Sequence, residues 1–242
     1  MIHLSKRMQA LANLVSSCKT FCDVGTDHGF LPIYLVQSET CERAIAMDLR
    51  EGPLDRAKTH IAEFGLSDAI ETRLSDGVAA LSAGEADAVL IAGMGGNVTI
   101  HILTEGLDVC QQLKELILQP QSEIEEVRKF VFSQGFVLVS EDMVEEDGKF
   151  YPMMKLVHKS QLSEEEYKNL RTDESAPYTE AELLYGPMLL ASHHPVLMKY
   201  LKKDLKREET ILSKLPDLDE ERILTRRKIV ENKIQLLQEL LK

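Results

Sequence analysis

The sequence lacks any apolar run approaching the roughly 18 to 20 residues that a membrane span needs. Its first residues, MIHLSKRMQALANLV, carry the basic residues of a cleavable signal but no uninterrupted apolar core. The chain is therefore expected to be cytoplasmic, with no membrane partner. Cysteine is scarce. Cys18, Cys22, Cys41 and Cys110 lie in apolar segments without CxxC or paired-ligand spacing, which marks them as reduced core thiols, and no metal site follows. Positive charge is short as well: 28 Lys and Arg against 40 Asp and Glu give a net charge of -12, which argues against a polyanionic partner because nucleic-acid affinity rests on neutralised phosphates. The shortage is uneven. Residues 1–158 carry -11 and residues 159–242 only -1, while the stretch from Lys199 to the end is +3. That basic tail offers a surface for nucleic acid, although solvated helix faces give the same counts.

What the sequence has is enough apolar material for one full core and a second small module: 242 residues, 44% of them hydrophobic. Five β-rich runs, 20–25, 43–49, 69–77, 87–95 and 113–120, alternate with segments of helical spacing at 31–38, 53–64, 97–107 and 122–134. Pro53 and Ser122 read as helix starts. This rhythm predicts right-handed βαβ crossovers and a mostly parallel sheet. The rhythm then changes: GFVLVSEDMVEEDGKFYPMMKLVHK, residues 135–159, reads as two strands joined at Asp147-Gly148, adding an antiparallel pair at the sheet edge. The expected fold is α/β, a doubly wound, Rossmann-like sheet of seven strands.

The polar segment 160–180 places a domain boundary there, giving one domain over 1–159 and a linker with a helical domain over 160–242. In the latter, Leu197, Leu201, Leu205, Ile211, Leu212 and Leu215, then Ile223, Leu224, Val230, Ile234, Leu237 and Leu241, fall mostly three or four residues apart. They predict two amphipathic helices folded back at Pro216-Asp217 as an antiparallel coiled-coil hairpin. The hairpin is either a binding arm or a dimerisation coiled coil; a monomer is the expected state.

The chemistry centres on DVGTDHGFLP, residues 23–32. A dinucleotide fingerprint needs GxGxxG after the first strand, and here Gly25 is followed by Asp27 and Phe30, so the pattern fails. A carboxylate in such a loop repels a pyrophosphate but suits a cation. S-adenosylmethionine carries a sulfonium and an α-ammonium, so Asp23 and Asp27 fit its methionine end, although Asp27 also serves as a helix cap. Further along, Asp48, with Leu49 after it, ends the second strand where a carboxylate accepts both ribose hydroxyls. Ser75-Asp76-Gly77 ends the third, with a carboxylate for adenine N6 and a glycine for close approach. Gly93, Met94 and Gly95 end the fourth, beside the crevice where ligands enter open α/β sheets.

Together, DVGTDHGFLPIYL, AMDLREGPL, LSDG, IAGMGGN, the LQP followed by a helix, GKFYPMMKLV and the YGP before two terminal helices resemble the bacterial tRNA adenine-N1 methyltransferases that modify adenine 22, along essentially the whole chain. The resemblance implies a Rossmann-like methyltransferase domain, a C-terminal coiled coil, S-adenosylmethionine as donor and tRNA as acceptor. It also carries over Gly25, Asp27, His28, Asp48, Asp76, Gly77, Gly93, Met94 and Gly95 as cofactor-loop positions. Gly29 and Phe30 stand where the family more commonly has alanine and tyrosine, so no hydroxyl is offered there. Asp27, His28 and Asn97 are the candidates for holding the adenine edge, with a cap or packing role the alternative for His28 and Asn97. Lys6, Arg7, Lys202, Lys203, Lys206, Arg207, Arg226, Arg227 and Lys228 are the candidate RNA contacts. Competing readings are a methyltransferase acting on another RNA, a small molecule or a protein, a helical adaptor without enzymatic activity, and a dehydrogenase.

Overall fold

The computed structural model describes residues 2–170, 177–216 and 221–242. They form two compact units, Met1–Pro177 and Tyr178–Lys242. In the first unit the chain runs α1 (Lys6–Leu14), β1 (Cys18–Val24), α2 (Phe30–Gln37), β2 (Cys41–Asp48), α3 (Glu51–Glu63), β3 (Ile70–Leu74), β4 (Ala88–Met94), α4 (Gly96–Glu105), α5 (Leu107–Cys110), β5 (Glu115–Pro120), α6 (Ile124–Ser133), β6 (Phe136–Glu146), β7 (Lys149–His158) and α7 (Glu164–Leu170).

The seven strands form one sheet in the order β3-β2-β1-β4-β5-β7-β6. The first five pair in parallel, and β7 pairs antiparallel with both β5 and β6. The near-continuous apolar strings of β4 and β5 follow from their position. A central parallel strand is covered on both faces, and Val89, Leu90, Ile91, Leu116, Ile117 and Leu118 are all fully buried. α1, α2 and α3 contribute Leu11, Ile33, Leu35, Ala57 and Ile61 to the same core. Helix α1 was not foreseen; Ser5 starts it, its hydroxyl accepting from the Met8 N–H at 3.3 Å. The hydroxyl of Ser122, expected to open α6, instead accepts from the Gly96 N–H and donates to the Glu123 carboxylate, and α6 begins after Glu123.

All four cysteines are free. Burial pushes the Cys41 and Cys110 thiols up to about 12, so they stay protonated. Arg128 on α6 and Glu141 on β6 make a fully buried ion pair at 2.9 Å that ties helix to sheet.

The second unit contains α8 (Glu180–Tyr185), α9 (Pro187–Ala191), α10 (Pro195–Lys214) and α11 (Glu221–Leu240). Thr179 and Glu182 close α8 with a reciprocal capping box. α10 and α11 pack antiparallel: Lys233 reaches Asp204 and Glu208, while Arg227, earlier in α11, donates to the Pro216 carbonyl at 3.1 Å. Pro216 follows α10 as expected, and Asp217 lies outside the described residues. The seam differs from the expected all-apolar one. Leu197, Leu201, Val230 and Leu237 are buried in it, but so are Asp204 and Glu208, and Leu224 is exposed. Among the described residues no helix is long and apolar enough to cross a membrane.

Candidate cofactor site

A cleft of about 220 Å³ opens at the carboxyl ends of β1 to β4, lined by Val24, Gly25, Asp48, Leu49, Arg50, Ser75, Asp76, Gly77, Met94, Val98 and Ile102. It is the crevice at which the strand order reverses from β1 to β4, where open α/β sheets bind ligands. Seven of the expected positions, Gly25, Asp48, Leu49, Ser75, Asp76, Gly77 and Met94, meet there.

Its floor depends on missing side chains. Gly25 has φ +82°, and a Cβ there would collide with the Met94 methyl. Gly77 has φ +56°, and its Cβ would stand 2.7 Å from Ile102 Cγ2. The Ser75 hydroxyl shapes the same turn, donating to the Gly77 carbonyl at 2.9 Å and accepting from the Ala80 N–H at 3.0 Å. Asp48 accepts from the Arg50 N–H at 2.9 Å. Asp76 is exposed and its carboxylate makes no hydrogen bond among the described residues. Leu49 and Val98, 61% and 51% exposed, add open apolar surface to the Val24, Met94 and Ile102 side chains of the same lining.

The remaining expected residues sit around the cleft rather than in its lining. Asp23 is buried within β1, paired in register with Ala46 and Leu90. Burial pushes its carboxyl up to about 6; the Thr26 hydroxyl opposes this and the Asp48 charge adds to it. Asp27 is exposed and pairs with Arg56 of α3, with His28 Nε2 3.4 Å from its other oxygen. The Arg56 hydrogen bond holds the Asp27 carboxyl below the usual carboxylate range. It is not a helix cap: Gly29, in the left-handed conformation, caps α2. The His28 ring stacks on Phe30 and His60, with centroids 5.1 and 5.4 Å away, and its carbonyl accepts from His60 Nδ1 at 2.9 Å. His28 is thus held in an aromatic cluster between loop and α3.

Gly93 and Gly95 flank Met94. The cap of α4 is Gly95, so Asn97 is the second residue of the helix, exposed, and not its N-cap. The reason is tertiary: a Cβ on Gly96 would stand 2.5 Å from the Ser122 carbonyl, so the helix starts where glycine alone fits against the β5–α6 turn. Val24, Arg50, Val98 and Ile102 were not foreseen. The i, i+4 spacing of Val98 and Ile102 after the GMGGN turn was the available signal.

The cleft suits an adenosyl cofactor in its chemistry. Asp48 and Asp76 offer acceptors for hydroxyl and amino donors, Leu49 and Val98 offer apolar faces for a flat ring, and the glycine floor leaves room for a ligand against the backbone. The buried acid beneath, Asp23, favours a cation over a pyrophosphate.

A parallel sheet with its last strand inserted antiparallel, and acid-bearing loops at the first three strand ends, defines a Rossmann-like methyltransferase. Residues 4–154 match the family model described as "Methyltransferase domain". The chain is 31% identical to the tRNA (adenine(22)-N(1))-methyltransferase of Bacillus subtilis over 241 residues, 99% of this chain and 98% of that protein. It superposes on the crystal structure of the Bacillus subtilis m1A22 tRNA methyltransferase TrmK with a TM-score of 0.85 at 30% identity, covering 100% of both chains. A candidate tRNA (m1A22) methyltransferase of Streptococcus pneumoniae, solved in complex with S-adenosyl-L-methionine, superposes with a TM-score of 0.83 at 30% identity over 99% of this chain and 100% of that one. The chain belongs to the tRNA (adenine(22)-N(1))-methyltransferase family.

Proposed function

We propose that the protein is a cytoplasmic, S-adenosylmethionine-dependent methyltransferase that methylates N1 of adenine 22 in tRNA. The observation that carries this reading is a chain-long match to a methyltransferase of that specificity, coupled to a strand-end cleft whose acids Asp48 and Asp76 suit an adenosyl ligand. Residues 1–159 hold the cofactor in this reading, and residues 160–242 supply a linker and a coiled-coil arm, within a monomer.

When bound, the cofactor supplies an electrophilic methyl group on a positively charged sulfur. Asp48 accepts from the ribose hydroxyls, Asp76 from the adenine amino group, and Leu49 and Val98 flank the ring. Asp23, below the loop, offers its charge to the cationic end. Neutral adenine N1 already carries a lone pair, so no residue has to remove a proton before transfer. The protein's task is orientation, which is worth roughly 7 to 11 kcal/mol when two reactants are held in line. N1 lies on the Watson–Crick edge, so the target base has to leave its pairing to enter the site. Asp27, His28 and Asn97, exposed or half-exposed at the loop and at α4, are the groups proposed to meet it. Lys202, Lys203, Lys206, Arg226 and Lys228, exposed on α10 and α11, with Arg227, form the proposed phosphate-tracking stripe. Arg207 leaves that stripe because its guanidinium is committed to Asp204 and Glu208.

The test is methylation of unmodified tRNA with labelled donor, followed by nucleoside mapping. The expected product is 1-methyladenosine at position 22; label in any other nucleoside, or none, contradicts the reading.

A further inference from the structure

We propose that Arg7 of α1 binds the α-carboxylate of the methionine moiety of S-adenosylmethionine. The inference rests on the cofactor reading above and names a residue whose surroundings point to an anion at the opposite end of the cleft from Asp48 and Asp76.

Three observations place it. First, the strand ends run Asp76 after β3, Asp48 on β2, Gly25 after β1 and Met94 on β4, with Gln119 on β5 next. Arg7 lies at that last position: its Nη1 donates to Gln119 Oε1 at 3.2 Å and stands 3.5 Å from where a Cβ on Gly93 would be. From β2 to β5 is three strand spacings, roughly 14 Å at about 4.8 Å each. Second, the guanidinium is held in place. It sits over the Tyr151 ring, 5.2 Å from the centroid, and its helix is strapped to the β6–β7 turn by the Arg7 N–H and the Ser5 hydroxyl on Glu146 and by Lys6 on the Glu145 carbonyl. Third, it has capacity left. Among the described residues no carboxylate lies within ion-pair distance of the Arg7 guanidinium, and Gln119 takes a single hydrogen bond from a group with five N–H donors.

Charge then sets the direction in which the cofactor lies. Its hydroxyl and amino donors belong with Asp48 and Asp76, and its one anionic group, the α-carboxylate, belongs with a cation at the other end. A fixed, half-buried guanidinium beside a side-chain-free strand end is the group that fits. Lys6, anchored to a backbone carbonyl, stays in the strap.

The same chemistry would suit a tRNA phosphate, and the experiment separates the two anions. Calorimetric binding of S-adenosylhomocysteine and of 5′-methylthioadenosine, which has no amino-acid moiety, is compared in wild type, R7K and R7Q. R7Q is expected to weaken S-adenosylhomocysteine by about tenfold or more and 5′-methylthioadenosine by less than about twofold, with R7K between wild type and R7Q. Undiminished binding of 5′-methylthioadenosine also shows that R7Q is folded. Equal losses for both ligands, or no loss for either, overturn the assignment. So does a fall of about 0.7 to 0.9 in the slope of log affinity for tRNA against log salt with cofactor binding intact, which would make the anion a phosphate. If wild type binds neither ligand, the cofactor reading itself fails.

Discussion

Asp23 in the methyltransferase unit and Asp204 and Glu208 in the helical unit are all buried acids, yet their surroundings are opposite. Among the described residues no lysine or arginine forms an ion pair with Asp23, and burial holds its carboxyl near 6. Asp204 and Glu208 meet Lys233 at 3.2 and 2.9 Å and Arg207 beside it, and Tyr185 adds a hydroxyl to Asp204. Burial alone would raise Glu208; the hydrogen bonds from Lys233 and Arg207 outweigh it, and its carboxyl falls below the usual value. The difference separates two uses of a buried charge. An acid supplied with its own cations fixes how two helices register. One left without a cation, in the strand that leads into a cleft, is available to a ligand's.

Variants that break this contrast are ordered by expected effect. Arg128→Met leaves Glu141 buried without its guanidinium partner, and chemical denaturation should show a loss of about 3 to 5 kcal/mol. Lys233→Met does the same to Asp204 and Glu208, but Arg207 remains, so the helical unit should lose about 2 kcal/mol, and replacing all three by apolar residues of similar volume should recover most of it. Asp23→Asn tests the ligand-directed acid through pH. The folded protein holds the Asp23 proton up to about pH 6, whereas an unfolded aspartate releases it near 3.8. The stability this contributes is complete below about 3.8 and is lost as pH rises towards 6. The melting-temperature advantage of Asp23→Asn over wild type should therefore grow between pH 4 and pH 7. Cofactor affinity of wild type should rise over pH 5 to 7 as the carboxylate forms, and that of Asp23→Asn should stay flat. Asp27→Asn removes an exposed pair with Arg56 and should change stability by less than about 1 kcal/mol in the same denaturation experiment.

The middle of the sheet was legible because β4 and β5 are buried on both faces, so apolar runs such as DAVLIAG mark them without any partner being known. Asp48 was legible for a related reason, since it follows directly on the apolar run AIAM, whereas Asp76 follows the polar strand IETRL and was marked by its Ser-Asp-Gly turn. What escaped lies in contacts between distant residues. Nothing near Asp27 announces Arg56, 29 positions later. Asn97 carries a cap-forming side chain, but the close approach of Gly96 to the Ser122 carbonyl moves the cap to Gly95. On α10 the buried positions 197, 201, 204 and 208 keep a 4-3-4 spacing, so the acids at the last two were readable as breaks in an apolar pattern. Their partner Lys233, on the next helix, was not. Helix α1 carries its own signal in Ser5, a hydroxyl residue set three positions ahead of the Met8 N–H that it caps.

The central claim is that the acids left without cations at the strand ends hold the cofactor. Calorimetric titration of S-adenosyl-L-methionine into wild type and Asp48→Ala at pH 7 tests it most directly. The account predicts binding by wild type and an affinity lower by at least about tenfold in Asp48→Ala, with the melting temperature of the free protein unchanged, because Asp48 accepts only one local backbone hydrogen bond. Equal affinity in the two proteins would contradict it.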